Sequence, residues 1–237
     1  MIMFMQSHTS TKFATKLTTK IRKTLWAVIC LLTALAASAG EDLMAARNGG
    51  FDLGLTNWLV HFPDHDFLKN NRDFVSVVDD GSRKNVLRFY LSQVATDNWG
   101  VQALSHPVPI DPKMRYKLTV TARSTGPSGR LYVMGKRMKP GLRPRPAPSN
   151  DQVRDVFKGP ILSFTGEKGT AQFSNVRRTW GTASVEIPPR DLTELAYGFW
   201  NNCRYIEIHL VGIGGKAGEF YVDDVKLEAT GAVQRPK

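Results

Sequence analysis

The feature that most restricts this chain is a period-two alternation of apolar and polar residues that recurs in short segments. Residues 86–91 read V-L-R-F-Y-L, which sets Leu87, Phe89 and Leu91 on one face and Arg88 and Tyr90 on the other. Residues 116–123 turn Tyr116, Leu118, Val120 and Ala122 inward against Thr119, Thr121 and Arg123. Residues 205–211 turn Ile206, Ile208 and Leu210 inward against Glu207 and His209, and 219–227 form a closing strand ahead of a polar tail, 229–237. Shorter runs stand at 101–104, 129–134, 161–164 and 183–187. Successive side chains of a strand point to opposite faces, so each segment has one face to bury and one for water. No long amphipathic helix breaks the series, and 191–197 makes at most a turn or two. Eight or more half-buried strands hide their apolar faces by stacking sheet on sheet. The expected class is all-β, a two-sheet antiparallel β-sandwich.

The first 39 residues follow a different pattern. Lys12, Lys16, Lys20, Arg22 and Lys23 stand with no acidic residue, an apolar run follows from Leu25 to Ala37, and Ala37-Ser38-Ala39 precedes Gly40. A positive region, a short apolar core and small residues at −3 and −1 describe a secretory signal peptide over 1–39. The core falls short of the roughly 20 apolar residues of a membrane span, and an uncleaved anchor is the competing reading. Cys30 lies inside the apolar run, which is not the place of a lipoprotein cysteine. Export to the periplasm or beyond the cell follows, with no membrane span after cleavage. Removing the leader lowers the net charge from +11 to +6, so nearly half of the apparent basicity is a targeting signal. The remainder suffices for one domain with its own core. Cys203 is then the sole cysteine, which forbids an intrachain disulfide and suits a small buried residue.

Residues 136–150, K-R-M-K-P-G-L-R-P-R-P-A-P-S-N, hold four prolines and five cations with no acid. Proline supplies no ladder donor and locks φ, so this stretch reads as a long surface loop or insertion.

Two motifs mark the ends of the domain. Asn48-Gly49-Gly50-Phe51-Asp52 with Gly54 and Trp58 opens it, and Gly218-Glu219-Phe220-Tyr221-Val222-Asp223-Asp224-Val225-Lys226-Leu227 closes it. An N-G-G-F-(E/D) opening and a G-x-(F/Y)-(Y/F)-(I/V)-D-D-V-x-L closing strand resemble the CenC-type carbohydrate-binding modules, with their galactose-binding-like jelly roll. Trp99-Gly100-Val101-Gln102, the strand at 116–123, and Trp180 ahead of Val185-Glu186-Ile187-Pro188 stand in that family's order. The resemblance spans 47–228, and the basic loop departs from it. Parity sets Asp223 on the face of Val225 and Leu227, where a carboxylate needs a partner. The resemblance implies a structural calcium ion tying the first strand to the last. Its ligands would be Asp52, Asp223 and main-chain oxygens of the turn from Asn48 to Gly50, with Asp79 or Asp80 from a nearby loop. Calcium takes six to eight oxygens, which such a set could supply. The alternatives are that these carboxylates accept backbone N–H bonds in turns, or that an Arg or Lys neutralises Asp223.

The resemblance also implies non-catalytic binding of a polysaccharide or oligosaccharide in an aromatic-lined cleft on one sheet. Trp58 and Trp180 match core positions of the family, and Phe51, Phe89 and Tyr116 fall on inward faces. Trp99, Tyr132, Tyr90 and Trp200 are left to stack on sugar C–H faces, with Arg123, Gln102, Glu207 and His209 to bond hydroxyls. Trp99, Arg123 and Tyr132 match the family best, and Trp200 could instead plug a loop into the core. His209 has no second histidine at ligand spacing, so a metal role is not expected of it. The loop cations would favour uronate- or sulfate-bearing chains through charge-assisted bonds, against the plainer reading of a solvated loop. Nucleic acid is not expected, because the cations are not interleaved with aromatics in a recognised fold.

Two rival classes stand beside this reading. An enzyme is not expected: paired carboxylates of the E-x-D-x-x-E kind, G-x-S-x-G, H-E-x-x-H and a Gly-rich phosphate loop are all missing from the sequence. Lyases nevertheless work with scattered Tyr, His and Arg, and Tyr90, His61, His65 or His209 could supply such a site. The second rival is a structural or adhesion sandwich that binds protein, or nothing, at its face.

Overall fold

The alternation builds strands where the sequence places it. The computed structural model describes residues 40–61, 74–97, 100–163, 171–172 and 179–236. Along them run β1 (Trp58–His61), β2 (Val75–Asp80), β3 (Arg83–Leu91), β4 (Val101–Ser105), β5 (Val108–Pro109) and β6 (Met114–Ser124). These are followed by β7 (Pro127–Met138), β8 (Val153–Ser163), β9 (Ala171–Gln172), β10 (Gly181–Ile187), β11 (Tyr205–Gly215) and β12 (Gly218–Ala232). Two short helices intervene, α1 (Gln93–Asp97) and α2 (Glu194–Asn201). One sheet has the order β1-β4-β11-β7-β8-β9 with β5 also on β11, and the other the order β10-β6-β12-β3-β2. Every pairing is antiparallel except the parallel β8–β9 contact.

The inward residues of both sheets form one core. Leu87, Phe89, Leu91, Leu118, Val120, Ile206, Ile208, Leu210, Phe220 and Val222 are buried in it, while Tyr90 is 53% exposed. Phe89 and Phe220 meet with ring centroids 5.7 Å apart on the neighbouring strands β3 and β12. Aromatic pairs at that spacing add to the stabilisation from area burial alone. Cys203 lies in the same core, and burial pushes its thiol up to about 12.

The end motifs act as a stitch. Leu43 donates its N–H to the Leu227 carbonyl at 2.9 Å, Val225 donates to the Gly49 carbonyl at 3.1 Å, and Leu227 donates to Asp42 Oδ1 at 3.0 Å. A Cβ on Gly49 would stand 2.2 Å from the Val225 carbonyl oxygen, which is why this position admits no side chain. Asn48 adopts a left-handed conformation at φ 60° and organises the opening turn. Its amide donates to the carbonyls of Gly54 and Thr56, its Oδ1 accepts from Leu53, and its own carbonyl accepts from Trp58 Nε1.

One expectation needs correction. Lys136, Arg137 and Met138 are the end of β7, not the start of a loop, because their backbones pair with Asp155, Arg154 and Val153 of β8. The irregular stretch therefore begins at Lys139. The turn or two expected at 191–197 is a two-turn helix at 194–201, capped by the Thr193 hydroxyl accepting from Ala196 N–H at 3.2 Å. Among the described residues no helix is long and apolar enough to cross a membrane.

Candidate functional site

Strand parity and register together decide which polar residues share a surface. On the outer face of the β1-β4-β11-β7-β8 sheet, Leu59 pairs with Leu104, Leu104 with His209, His209 with Tyr132, and Tyr132 with Ile161. Neighbouring strands lie about 4.8 Å apart, so this transverse row runs for about 19 Å. Leu59 and Ile161 are exposed, and Leu104, His209 and Tyr132 are half-buried. A second row runs beside it: His61 pairs with Gln102, Gln102 with Val211, and Val211 with Arg130. Four residues singled out in the sequence, Gln102, Tyr132, Glu207 and His209, thus lie on one face.

Glu207 anchors the middle of that face from below. It is 1% exposed, yet it receives Asn150 Nδ2 at 2.8 Å, Lys136 Nζ at 2.9 Å and His209 Nε2 at 2.5 Å. Burial pushes its pKa up, but the bonds from His209 and Lys136 outweigh burial and hold it below the ordinary carboxylate value. Lys136 also reaches Asp155 at 2.6 Å, and its pairing with the two carboxylates overcomes burial and holds its ammonium above the ordinary lysine value.

The basic Pro-rich loop is a fixed wall at one end of the face. The Tyr205 hydroxyl accepts from Arg145 N–H at 3.1 Å and donates to the Arg145 carbonyl at 2.8 Å. Arg47 donates to the Pro146 carbonyl at 3.0 Å, Pro148 is buried, and Asn150 also donates to the Ser105 carbonyl at 2.9 Å. These anchors hold the backbone and leave the residues of 139–147 exposed.

The remaining candidates lie elsewhere. Trp99 and His65 lie outside the described residues. Trp200 is wholly buried, so it is a core residue and not a sugar platform: it packs edge-on against Phe157 and Tyr116 and donates Nε1–H to the Pro112 carbonyl at 2.7 Å. Arg123 and Tyr90 do point outward, but from the other sheet. Arg123 donates Nε–H to Asp80 at 2.5 Å and stacks over Tyr221 with its guanidinium carbon 4.1 Å from the ring centroid. Trp180, read as core, sits on this same outer surface. Its Nε1 donates to Asp80 at 3.1 Å, and Arg83 covers its ring at 4.7 Å. Lone parity gives "inward" or "outward" but not the sheet, which explains both displacements. Asp223 and Asp224 pair with Arg83, and Asp80 with Arg123, in this Arg83–Trp180–Arg123–Tyr221 stack.

The same arginines decide the cation question. Asp223 pairs with Arg83, and Asp80 with Arg123 and Trp180. Asp79 pairs with Lys84 at 2.6 Å, and Asp52 accepts from Asn85 Nδ2 at 3.1 Å. Asn48, Gly50 and Asp52 line a cavity of about 310 Å³ with Asp42 and Asp224, and Arg83 bridges Asp224 to Asp223. Among the described residues no three His, Cys, Asp or Glu side chains converge as a metal-binding group. The set Asp52, Asp223, Asn48, Gly50 and Asp80 therefore does not fit calcium, because two of its three carboxylates already have guanidinium partners. The melting temperature is expected to be the same in excess calcium and in excess chelator. A rise in calcium would show a bound ion, since a ligand of the native state stabilises it by mass action.

Scans of family models and of curated proteins return no match to this chain. Among solved structures, a cyclase from Fischerella sp. TAU in complex with 4-(1H-indol-3-yl)butan-2-one superposes with a TM-score of 0.51 at 14% identity, covering 79% of this chain and 97% of that one. A carbohydrate-binding module of class CBM4 gives 0.43 at 15% identity, covering 77% and 97%. The N-terminal cellulose-binding domain of the Cellulomonas fimi β-1,4-glucanase C gives 0.39 at 15% identity, covering 76% and 95%. At these identities the likeness concerns architecture, and the architecture is the two-sheet jelly-roll β-sandwich.

Proposed function

We propose that this chain binds a polysaccharide or oligosaccharide on the outer face of the β1-β4-β11-β7-β8 sheet. The observation that carries the reading is the cross-strand row Leu104–His209–Tyr132–Ile161, with Gln102 and Arg130 alongside. A ring and aliphatic side chains at strand spacing suit the C–H faces of pyranoses, and the amide, imidazole and guanidinium suit their hydroxyls. The motif resemblance to CenC-type modules points the same way. Arg143 and Lys139, exposed on the anchored wall and without an acidic partner among the described residues, would favour chains bearing uronate or sulfate. The reading of residues 1–39 as a signal peptide fits a protein that meets such polymers outside the cytoplasm.

Affinity gel electrophoresis against neutral and acidic polysaccharides tests this. Tyr132→Ala is expected to weaken retention about 10-fold, the value of one lost ring platform. Tyr90→Ala, on the opposite sheet, is expected to change nothing. Equal losses from the two variants, or no retention by any polymer, would overturn the proposal.

A further inference from the structure

The proposed saccharide face also carries groups whose arrangement goes past what binding needs. Glu207 is buried and accepts from three donors: Asn150 at Oε2, and both Lys136 Nζ and His209 Nε2 at Oε1. A carboxylate accepting at Nε2 fixes the proton there, so a neutral His209 ring presents Nδ1 as its free lone pair. This is the orienting role that a buried acid plays for a histidine base. Tyr132, directly across the ladder from His209, supplies a phenol on the same face, and Gln102 and Arg130 stand in the adjacent row.

We infer that this face catalyses β-elimination of a 4-linked uronate polymer, with His209 as base and Tyr132 as acid. The inference rests on the saccharide-binding reading and adds bond cleavage to it. Gln102 and Arg130 hold the uronate carboxylate and withdraw charge from it, which acidifies the C5 hydrogen. His209 Nδ1 removes that proton. The C5–H electron pair becomes the C4–C5 double bond as the C4–O glycosidic bond breaks. The Tyr132 hydroxyl gives its proton to the departing oxygen and recovers one from the His209 imidazolium. The net change is one proton moved from C5 to the leaving oxygen; neither water nor a redox partner is consumed. The products are a fragment with a new reducing end and a fragment whose non-reducing end is a 4,5-unsaturated uronate.

The experiment incubates the chain with polygalacturonate, alginate and glucuronan, and with neutral xylan as control, and follows the ultraviolet absorbance of the unsaturated uronate. Growth of absorbance is expected with at least one uronan and none with xylan. Tyr132→Phe and His209→Ala are expected to lower the rate at least ~100-fold, the usual loss for a general acid or base. Tyr132→Phe keeps the ring, so its retention by the same polymer in affinity gels is expected to match the parent. Retention without absorbance would overturn elimination and leave binding standing. Absorbance that survives both substitutions would overturn the assignment to these residues, and neither retention nor absorbance would remove both readings.

Discussion

Trp200→Ala is expected to lower the free energy of unfolding by about 3–5 kcal/mol, the range for deleting a large aromatic from a close-packed core. Trp200 is fully buried at the C-terminal end of α2 and touches rings from both sheets: Phe157 of β8 at 5.3 Å and Tyr116 of β6 at 6.4 Å. Its Nε1–H satisfies the Pro112 carbonyl, so truncation also strands an acceptor. The surrounding strands are fixed by their ladders and cannot collapse into the void, which places the loss toward the upper part of the range. Denaturant titration of parent and variant measures it as a shift in midpoint at constant slope. A change below about 1 kcal/mol would mean that the ring is not a core element.

Glu207→Ala is expected to cost about 3 kcal/mol, the lower end for breaking a buried ion pair. Lys136 keeps Asp155 as a partner, but Asn150 and His209 lose their shared acceptor and the basic wall loses its inner latch. The pH dependence follows from the direction of each shift. Glu207 titrates lower in the folded chain than its ordinary 4.5, so its contribution is complete above that value and fades as pH falls through the folded one. Lys136 titrates higher than its ordinary 10.5, so its contribution is complete below that value and fades as pH rises through the folded one. Stability measured between these limits should be insensitive to this pair. Glu207→Gln should flatten the acid limb, and an acid limb identical to the parent's would show that Glu207 is not ionised against Lys136 and His209.

How much of this was legible beforehand differs from residue to residue. The inward set of 86–91, 116–123 and 205–211 is buried as its parity required, because a strand's two faces are defined by the chain alone. Trp200 and Trp180 exchanged places for a physical reason. A tryptophan in a helix or at a strand edge carries no parity, and its burial depends on what packs over it. Trp200 comes to rest between two sheets, and Trp180 between two guanidinium groups. The partners of Asp223 and Asp80 were equally out of reach, since Arg83 and Arg123 come to them from strands far away in the chain.

The linear order of residues by itself determined that this protein is an all-β sandwich, which residues of each strand face its core, and that its two termini carry matching stitches. Those properties follow from alternation and from local backbone chemistry, both written along the chain. Tertiary structure alone decided that Gln102, Tyr132, Glu207 and His209 share a surface while Arg123 and Tyr90 share the opposite one. It also decided that the Pro-rich stretch is a wall held by Tyr205, Asn150 and Arg47. Which strands become neighbours, and in what register, depends on closing long loops against a common core. No short segment contains that information.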